Sequence, residues 1–345
     1  MPDQVYRFGI IGFGIAGQIL TLELLKNSVP PSDICIYDET FMGGSLTTQY
    51  GTVLSNTPWW KTRKALEEYP LWNDEVLKET DALYEKDSCM PVRDIARSCL
   101  EVAKKASTSV AKQVTRVTEI KQLESGDLQV HHTFGISICK KLFLTHGSEP
   151  KLLNIPHTHI PLSIALDKEQ LKHQVDPRKD TVTVFGTSHS GTILLKHLHE
   201  LGISTNAVYK GSKPFIFARD GEYDGVKEGS EVIADTILKG SYTSLTLIPW
   251  SDPLELHKAL LKTTKCIVSI GFKPIRIQGI TSTTYDSSTA ELHAMKNVYG
   301  FGIAYPGTTE LNGRTYFDVS VLSFQAQIRK CIPAILNTSN DSLKN

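Results

Sequence analysis

The chain has 345 residues, enough for two domains, and its 40% hydrophobic and 21% charged residues are the balance of a globular protein. The 37 Lys and Arg residues match the 37 Asp and Glu residues, and this zero net charge argues against nucleic acid as a partner. No apolar stretch reaches the roughly 18 residues of a membrane span, and no targeting segment is visible, so we expect a cytoplasmic protein without a membrane partner. The six cysteines form no closely spaced pair, so we expect reduced thiols and no metal site.

Two segments, residues 8–26 and 181–201, share one pattern: a short apolar strand, a glycine-rich turn and an amphipathic helix. A second short apolar strand follows each of them, at 34–37 and at 207–209. Such strand-helix-strand openings are typical of nucleotide-binding domains with parallel sheets. The sequence therefore predicts an α/β fold with two Rossmann-like dinucleotide-binding domains.

The stretches between and after these segments predict further regular elements. Residues 91–106 have apolar side chains at helical spacing, and 110–120, 128–132 and 141–145 are predicted strands. Residues 259–270 are predicted to complete a helix and then form a strand. Helices and strands therefore alternate through most of the chain.

The first glycine turn has the sequence GFGIAG at 12–17. Gly12 permits a tight turn, Gly14 lets a pyrophosphate approach the backbone, and Gly17 allows close packing of the helix on the strand. Phosphates would then lie at the amides of the helix N-terminus. Asp38 lies 21 residues beyond Gly17, at the end of the next strand, where a carboxylate accepts hydrogen bonds from a ribose.

The second turn has the sequence GTSHSG at 186–191, in which hydroxyl side chains replace a glycine and can themselves donate to phosphate. The strand after it leads to Lys210 and Lys213 rather than to an acid. Lysines suit a 2′-phosphate, which favours NADPH over NADH. The alternative interpretation, that these lysines belong to an ordinary solvated loop, stays open.

Four further motifs support a particular class of protein. They are MGGSLTT at 42–48, LFLTHGSEP at 142–150, IGFKP at 270–274 and VYGFGIA at 298–304. With the two glycine turns they resemble the two-dinucleotide-binding flavoprotein superfamily, which includes thioredoxin-reductase-like and flavin-containing-monooxygenase-like enzymes. The resemblance implies FAD in the first domain, NADPH in the second, and insertion of the NAD(P) domain into the FAD domain.

The resemblance also implies domain limits and contact residues. The FAD domain is expected over 1–155, the NAD(P)H domain over 156–275 and a return to the FAD domain over 276–335. Expected FAD contacts are Gly12, Gly14, Ala16, Gly17, Asp38, Glu39, Gly43, Gly44, Ser45, Thr48, Asn56, Val117, Gly147 and Gly302. Expected contacts in the second domain and its exit strand are Gly186, Thr187, Ser188, His189, Ser190, Gly191, Lys210, Lys213 and Gly271.

The reaction is predicted from the segment after the Gly-Gly motif. Disulfide reductases of this superfamily need a cysteine pair beside the flavin, and the corresponding positions here hold no cysteine. The segment YGTVLSNTP at 50–58 resembles that of flavin-containing monooxygenases, which implies a catalytic role for the Asn56 amide near the flavin. The plain alternative is that Asn56 begins a turn before Pro58.

The leading hypothesis is thus a monooxygenase that oxidises a small N- or S-nucleophile with FAD, NADPH and O2. A second hypothesis is a cysteine-free reductase that passes electrons to a protein partner. A third is a non-catalytic dinucleotide-binding sensor, because the second turn is substituted and no Gly-Asp pair occurs at 298–304. A homo-oligomer is compatible with each of them.

Overall fold

The computed structural model describes residues 5–55, 57–215, 218–219, 222–223, 229–311 and 314–337. The chain divides into two compact units, and each is described by itself. Unit 1 comprises residues 1–51, 57–149 and 274–345, and unit 2 comprises 52–56 and 150–273. Unit 2 is therefore an insertion in unit 1, as predicted. The predicted limits of the nucleotide-binding domains, after residues 155 and 275, stay predictions.

The elements up to the main insertion are β1 (Val5–Ile11), α1 (Ile15–Lys26), β2 (Ile34–Asp38), α2 (Ser45–Thr48), α3 (Trp59–Leu66), α4 (Pro70–Leu83), α5 (Val92–Ala106), β3 (Ala111–Val114), β4 (Val117–Gln122), β5 (Leu128–His132), β6 (Gly135–Leu144) and β7 (Ser148–Pro150). The next are β8 (Thr158–His159), α6 (Leu162–Ala165), α7 (Lys168–Lys172), β9 (Thr181–Phe185), α8 (His189–Glu200), β10 (Ser204–Tyr209), β11 (Ala218–Arg219), β12 (Glu222–Tyr223), α9 (Gly229–Leu238), β13 (Leu245–Pro249), α10 (Pro253–Lys262), β14 (Lys265–Val268) and β15 (Phe272–Pro274). The last are β16 (Val298–Gly300), β17 (Gly307–Leu311), β18 (Arg314–Asp318) and α11 (Val321–Asn337), with single 3₁₀ turns at Pro31–Asp33 and Gly302–Ala304.

The main sheet of unit 1 has the strand order β3-β2-β1-β6-β5-β4. The pairs β2–β3, β1–β2 and β1–β6 are parallel, whereas β4 and β5 are antiparallel neighbours that extend the sheet from β6. The short β16 pairs in parallel with the last residues of β6. The carboxyl ends of β1, β2, β6 and β16 therefore meet at one edge, where ligands of open α/β sheets bind.

The predicted strand at 110–120 is two strands in the structure. β3 pairs in parallel with β2, and β4 pairs antiparallel with β5. The break lies at 115–116, where the Thr115 amide donates to the backbone oxygen of Asp38 at 2.9 Å. The run of strand-forming residues at 110–120 thus pairs with one parallel strand and with one antiparallel strand. The periodicity of the sequence alone does not reveal this break.

Apolar side chains cover both faces of this sheet. One face packs on α1, α5 and α11 through residues such as Phe8, Ile10 and Phe143, all fully buried. The other face holds Leu142 and Leu144 of β6, together with buried residues of β4 and β5. The predicted helix at 91–106 is confirmed as α5, whose apolar side chains lie in the first of these cores.

Unit 2 contains a parallel sheet with the strand order β13-β10-β9-β14-β8. Its central strands β9 and β14 are apolar, with Val182, Val184 and Ile267 fully buried. Strands buried on both faces read as continuous apolar runs, which is why the sequence indicated them. Helix α8 follows β9 directly, so the second strand-turn-helix segment is confirmed.

Candidate functional site

The first glycine turn joins β1 to α1 and is fixed by steric contacts. Gly12 has φ +95°, a conformation that disfavours other residues, and its amide donates to the Tyr37 oxygen at 2.8 Å. A Cβ atom on Gly12 would lie 2.6 Å from the backbone oxygen of Thr145. A Cβ atom on Gly17 would overlap the carbonyl oxygen of Gly12, so these two glycines are required for packing.

Gly14 differs from its two neighbours in the motif. It is the N-cap of α1, and no side chain caps the free amides of the first helical turn. A Cβ atom on Gly14 would meet only the Gly43 oxygen, at 4.0 Å. The missing side chain therefore leaves space in front of a helix N-terminus, which is the cradle that a pyrophosphate needs.

The Gly-Gly segment lies against this cradle. Gly43 and Gly44 have φ +89° and +74°, and a Cβ atom on Gly44 would lie 3.1 Å from the Cα atom of Gly14. The structure thus brings together two glycine motifs that are about thirty residues apart in sequence. Ser45 and Thr48 follow in α2, where Ser45 is half-buried and Thr48 is exposed.

Asp38 joins the turn to the end of β2. Its Oδ2 atom accepts the Phe13 amide at 2.7 Å, and its Oδ1 atom accepts the amides of Thr40 and Phe41 at 2.9 and 2.6 Å. A carboxylate oxygen accepts two hydrogen bonds, so Oδ2 keeps one position for a ribose hydroxyl. The neighbouring Glu39 is exposed and lies 3.8 Å from the Arg116 guanidinium.

Two residues outside the glycine motif complete the turn. The Thr145 hydroxyl donates toward the Gly12 oxygen at 2.7 Å, which holds the end of β6 against the turn. A Cβ atom on Gly302, which has φ +82°, would lie 2.6 Å from the Cβ atom of Ala16. Gly302 was expected to contact FAD, which stays a prediction, whereas the role of Thr145 was not predicted because its partner is 133 residues away.

The second glycine turn has the same backbone arrangement. Gly186 has φ +99°, its amide donates to the Val208 oxygen at 2.8 Å, and a Cβ atom on it would overlap the Ser269 oxygen. A Cβ atom on Gly191 would overlap the Gly186 oxygen. Ser188 is the N-cap of α8, makes no capping bond with its side chain and is exposed. It therefore stands at the position that Gly14 occupies in the first turn.

The hydrogen bonds of the two turns also align the following strands. Because Val208 corresponds to Tyr37, Tyr209 takes the position of Asp38, and this position carries no acid. Lys210 and Lys213 follow as exposed residues, and within the described part of the chain neither makes an ion pair. The Thr187 hydroxyl donates to the backbone oxygen of Pro214 and so ties this lysine-bearing loop to the turn.

Two histidines lie beside these turns. His189 is the first residue of α8, and its Nδ1 atom is 2.8 Å from the Ser230 hydroxyl. Burial lowers the pKa of His189, which favours the neutral ring. Burial also lowers the pKa of His146 to about 4, although a hydrogen bond with the Ile275 oxygen at 2.9 Å opposes this shift.

The remaining expected residues lie in different places. Val117 is buried at the start of β4, and Ser190 lies in the first turn of α8. Gly147 and Gly271 have φ +79° and +91° and follow the ends of β6 and β14, with open space where a Cβ would lie. Asn56, the expected catalytic residue, lies outside the described residues.

The six cysteines are free thiols, and all of them except Cys89 are buried. Burial raises the pKa to about 12 at Cys99 and Cys139, and to about 11 at Cys35, Cys266 and Cys331. The thiolate is the reactive form, so these five side chains do not suit disulfide chemistry. The described residues contain no group of three or more His, Cys, Asp or Glu side chains that could hold a metal ion. Among the helices within the described ranges, none has both the length and the apolar character of a membrane span.

No protein-family model and no curated protein matches the chain. Its structure is similar to a flavin-containing monooxygenase from Stenotrophomonas maltophilia, at 14% identity and a TM-score of 0.66, over 97% of this chain and 99% of that chain. It is also similar to an FAD-bound cadaverine monooxygenase of the desferrioxamine pathway from Erwinia amylovora, at 14% identity and a TM-score of 0.63, over 97% and 95%.

A third similar structure is a bacillithiol disulfide reductase from Staphylococcus aureus, at 13% identity and a TM-score of 0.62, over 98% of this chain and 100% of that chain. At such identities the likeness shows the fold alone. The chain has the fold of these flavoproteins, which confirms the predicted fold class.

Proposed function

We propose that the chain is an oxidoreductase that binds FAD on unit 1 and NADPH on unit 2. The observation that carries this proposal is the duplicated turn: Gly12 and Gly186 share their backbone geometry and their hydrogen bond to the next strand. Both turns open a helix whose first amides have no side-chain cap. Such an end binds a phosphate group through its amides and its dipole.

The FAD residues of unit 1 divide into two groups. Gly12, Gly17 and Gly302 allow close packing of the backbone, whereas Gly14 leaves the amides of α1 open to a diphosphate. The free position on Asp38 Oδ2 suits a hydroxyl of the adenosine ribose. Gly43 and Gly44 lie beside Gly14 and bring a second segment of backbone to the same ligand.

The preference for NADPH rests on charge. Tyr209 replaces the acid that an NAD site uses for its ribose, and Lys210 and Lys213 supply two cations close by in the chain. A 2′-phosphate carries extra negative charge, which these ammonium groups attract and which a carboxylate would repel. When both nucleotides are bound, they supply hydride transfer from nicotinamide to flavin and the reaction of reduced flavin with O2.

We further propose that the reaction is the monooxygenation of a small N- or S-nucleophile, with Asn56 near the flavin. In this reaction NADPH, a proton, O2 and the substrate give NADP⁺, water and the oxygenated substrate. The buried, weakly acidic thiols argue against a dithiol relay. The fold is that of two monooxygenases and of a disulfide reductase, so the choice between these reactions rests on the thiols.

The test determines which acceptor receives the electrons of NADPH in the FAD-loaded protein. We would supply NADPH, ¹⁸O2 and either an aliphatic diamine or a thioether, and measure ¹⁸O in the organic product against the hydrogen peroxide released. Incorporation of one ¹⁸O atom per NADPH consumed is the expected result. An organic product without ¹⁸O, with the electrons of NADPH passing to an added protein acceptor, would instead establish the cysteine-free reductase. A protein that binds nucleotides and oxidises no NADPH would establish the sensor.

A further inference from the structure

His189 and Ser230 form a contact that the glycine motif does not explain. His189 opens α8 directly after the second turn, and Ser230 lies in the first turn of α9 with 2% of its surface exposed. The Ser230 hydroxyl and His189 Nδ1 are 2.8 Å apart. A buried hydroxyl from another helix therefore fixes the ring at the mouth of the turn.

The contact decides which ring nitrogen carries the proton. A neutral imidazole has one N–H, and the nitrogen that accepts a hydrogen bond leaves that N–H on the other. If the Ser230 hydroxyl donates to Nδ1, Nε2 carries the proton. Within the described part of the chain Nε2 makes no hydrogen bond, and it is absent from the buried polar atoms that lack a partner. The ring can therefore offer this N–H to a ligand.

The two glycine turns differ in the side chains at the start of the helix, where such a donor would lie. In the first turn Gly14 leaves the backbone open, whereas Ser188 places a side chain at the corresponding position. The first turn has Ile15 at the position of His189, so it offers no side-chain donor there. A donor at His189 would supply a phosphate contact in addition to that of the Ser188 hydroxyl.

We propose that Ser230 is a positioning residue of the NADPH site: it donates to His189 Nδ1, and His189 Nε2–H then donates to a phosphate oxygen of the bound dinucleotide. This inference rests on the proposed NADPH site of unit 2. It adds a residue that lies 41 positions from the glycine turn and belongs to no motif.

The test measures NADP⁺ binding to the FAD-loaded protein by calorimetry. Ser230→Ala should weaken binding about three- to tenfold, since one hydrogen bond contributes roughly 0.5–1.5 kcal/mol. Ser230→Thr, which keeps the hydroxyl, should bind NADP⁺ within about twofold of the parent affinity. His189→Gln keeps an amide donor and should bind more tightly than His189→Leu.

The tautomer gives a readout that a purely structural role for Ser230 does not predict. In ¹⁵N-histidine NMR spectra of the parent protein, Nε2 of His189 should carry the proton, and Ser230→Ala should shift the population toward the Nδ1–H form. A parent ring protonated on Nδ1, or equal NADP⁺ affinity in Ser230→Ala and the parent, would overturn the inference while leaving the NADPH site intact. A parent protein that binds no NADP⁺ would overturn the proposed function as well.

Discussion

The glycine turns of the two units share a backbone but differ in their side chains. Gly12 and Gly186 have φ +95° and +99°, and each following helix begins three residues later. The N-cap is Gly14 in the first turn and Ser188 in the second. Positions that must be glycine for packing are thus the same, and the position that we propose faces a ligand is different.

The loops after the second strands differ in the same way. In unit 1 the Asp38 carboxylate accepts three backbone amides and ties the loop to the turn. In unit 2 the Thr187 hydroxyl makes the corresponding tie to Pro214, and lysines follow in place of an acid. One backbone arrangement thus carries different side chains at a few positions, as the proposed binding of two different nucleotides requires.

The largest expected effect tests the glycine positions that both turns require for packing. Gly17→Ala and Gly191→Ala each place a Cβ atom in overlap with a backbone oxygen, so the helix must move away from its strand. Each should lower the free energy of unfolding by about 3 kcal/mol or more, in the range of severe packing defects. Chemical denaturation of the two variants measures this. If one variant kept the parent stability, the two turns would not share the steric requirement.

The next effect separates the ligand-facing position from the packing positions. Gly14→Ala adds a methyl group whose nearest neighbour is 4.0 Å away, so the free energy of unfolding without FAD should fall by about 1 kcal/mol or less. FAD affinity should fall about 100-fold, since the methyl group occupies the space of the diphosphate. Flavin fluorescence titration checks it.

Ser188→Ala is the matched control in the second turn. It keeps the Cβ atom that is already present and removes one hydroxyl. NADP⁺ affinity should therefore fall only about three- to tenfold. An FAD affinity in Gly14→Ala equal to that of the parent would show that no diphosphate lies at this position.

A smaller effect tests the charge difference between the loops. Lys210→Glu replaces an attraction to the 2′-phosphate by a repulsion, and KM for NADPH should rise about tenfold, which corresponds to about 1.4 kcal/mol. KM for NADH should stay within about twofold of the parent value. Lys239→Glu, an exposed reversal just beyond the C-terminal end of α9, is the control for net charge. An equal rise of both KM values in Lys210→Glu would refute the assignment of the lysine to the 2′-phosphate.

The smallest effect concerns the hydrogen bond that joins the second glycine turn to the loop after β10. Thr187→Val removes the hydrogen bond to Pro214 and should free the loop that carries Lys210 and Lys213. The ratio of kcat/KM for NADPH to that for NADH should fall about three- to fivefold, and Thr187→Ser should restore it. A lower stability with an unchanged ratio would mean that Thr187 has no part in nucleotide preference.

The two glycine turns could be predicted because the residues that determine their geometry lie close together in the sequence. Gly12, Gly14 and Gly17 lie within six residues, and their spacing with the flanking apolar strand and helix determines the geometry. Gly186 and Gly191 repeat this pattern, so the fold class followed from it. The Gly-Gly segment was identified by resemblance, and the structure supplies its physical basis, which is the contact of Gly44 with Gly14.

The parts that were missed depend on long-range contacts or on weak local signals. Thr145 and Ser230 have partners 133 and 41 residues away, and nothing in the sequence around them names those partners. Helices α3 and α4 were not predicted. The Trp59 side chain in α3 packs in the core and donates its indole N–H to Asp81 of α4 at 2.7 Å, a contact that exists only after both helices form.

The most direct test of the account is an anaerobic titration of the FAD-loaded protein with NADPH, followed by the visible absorbance of the flavin. About one equivalent of NADPH should bleach the flavin, and Lys210→Glu should bleach more slowly at the same NADPH concentration with the same final stoichiometry. A protein that fails to take up FAD, or whose bound flavin stays oxidised at saturating NADPH, would contradict the claim that the two turns hold a hydride donor and its acceptor.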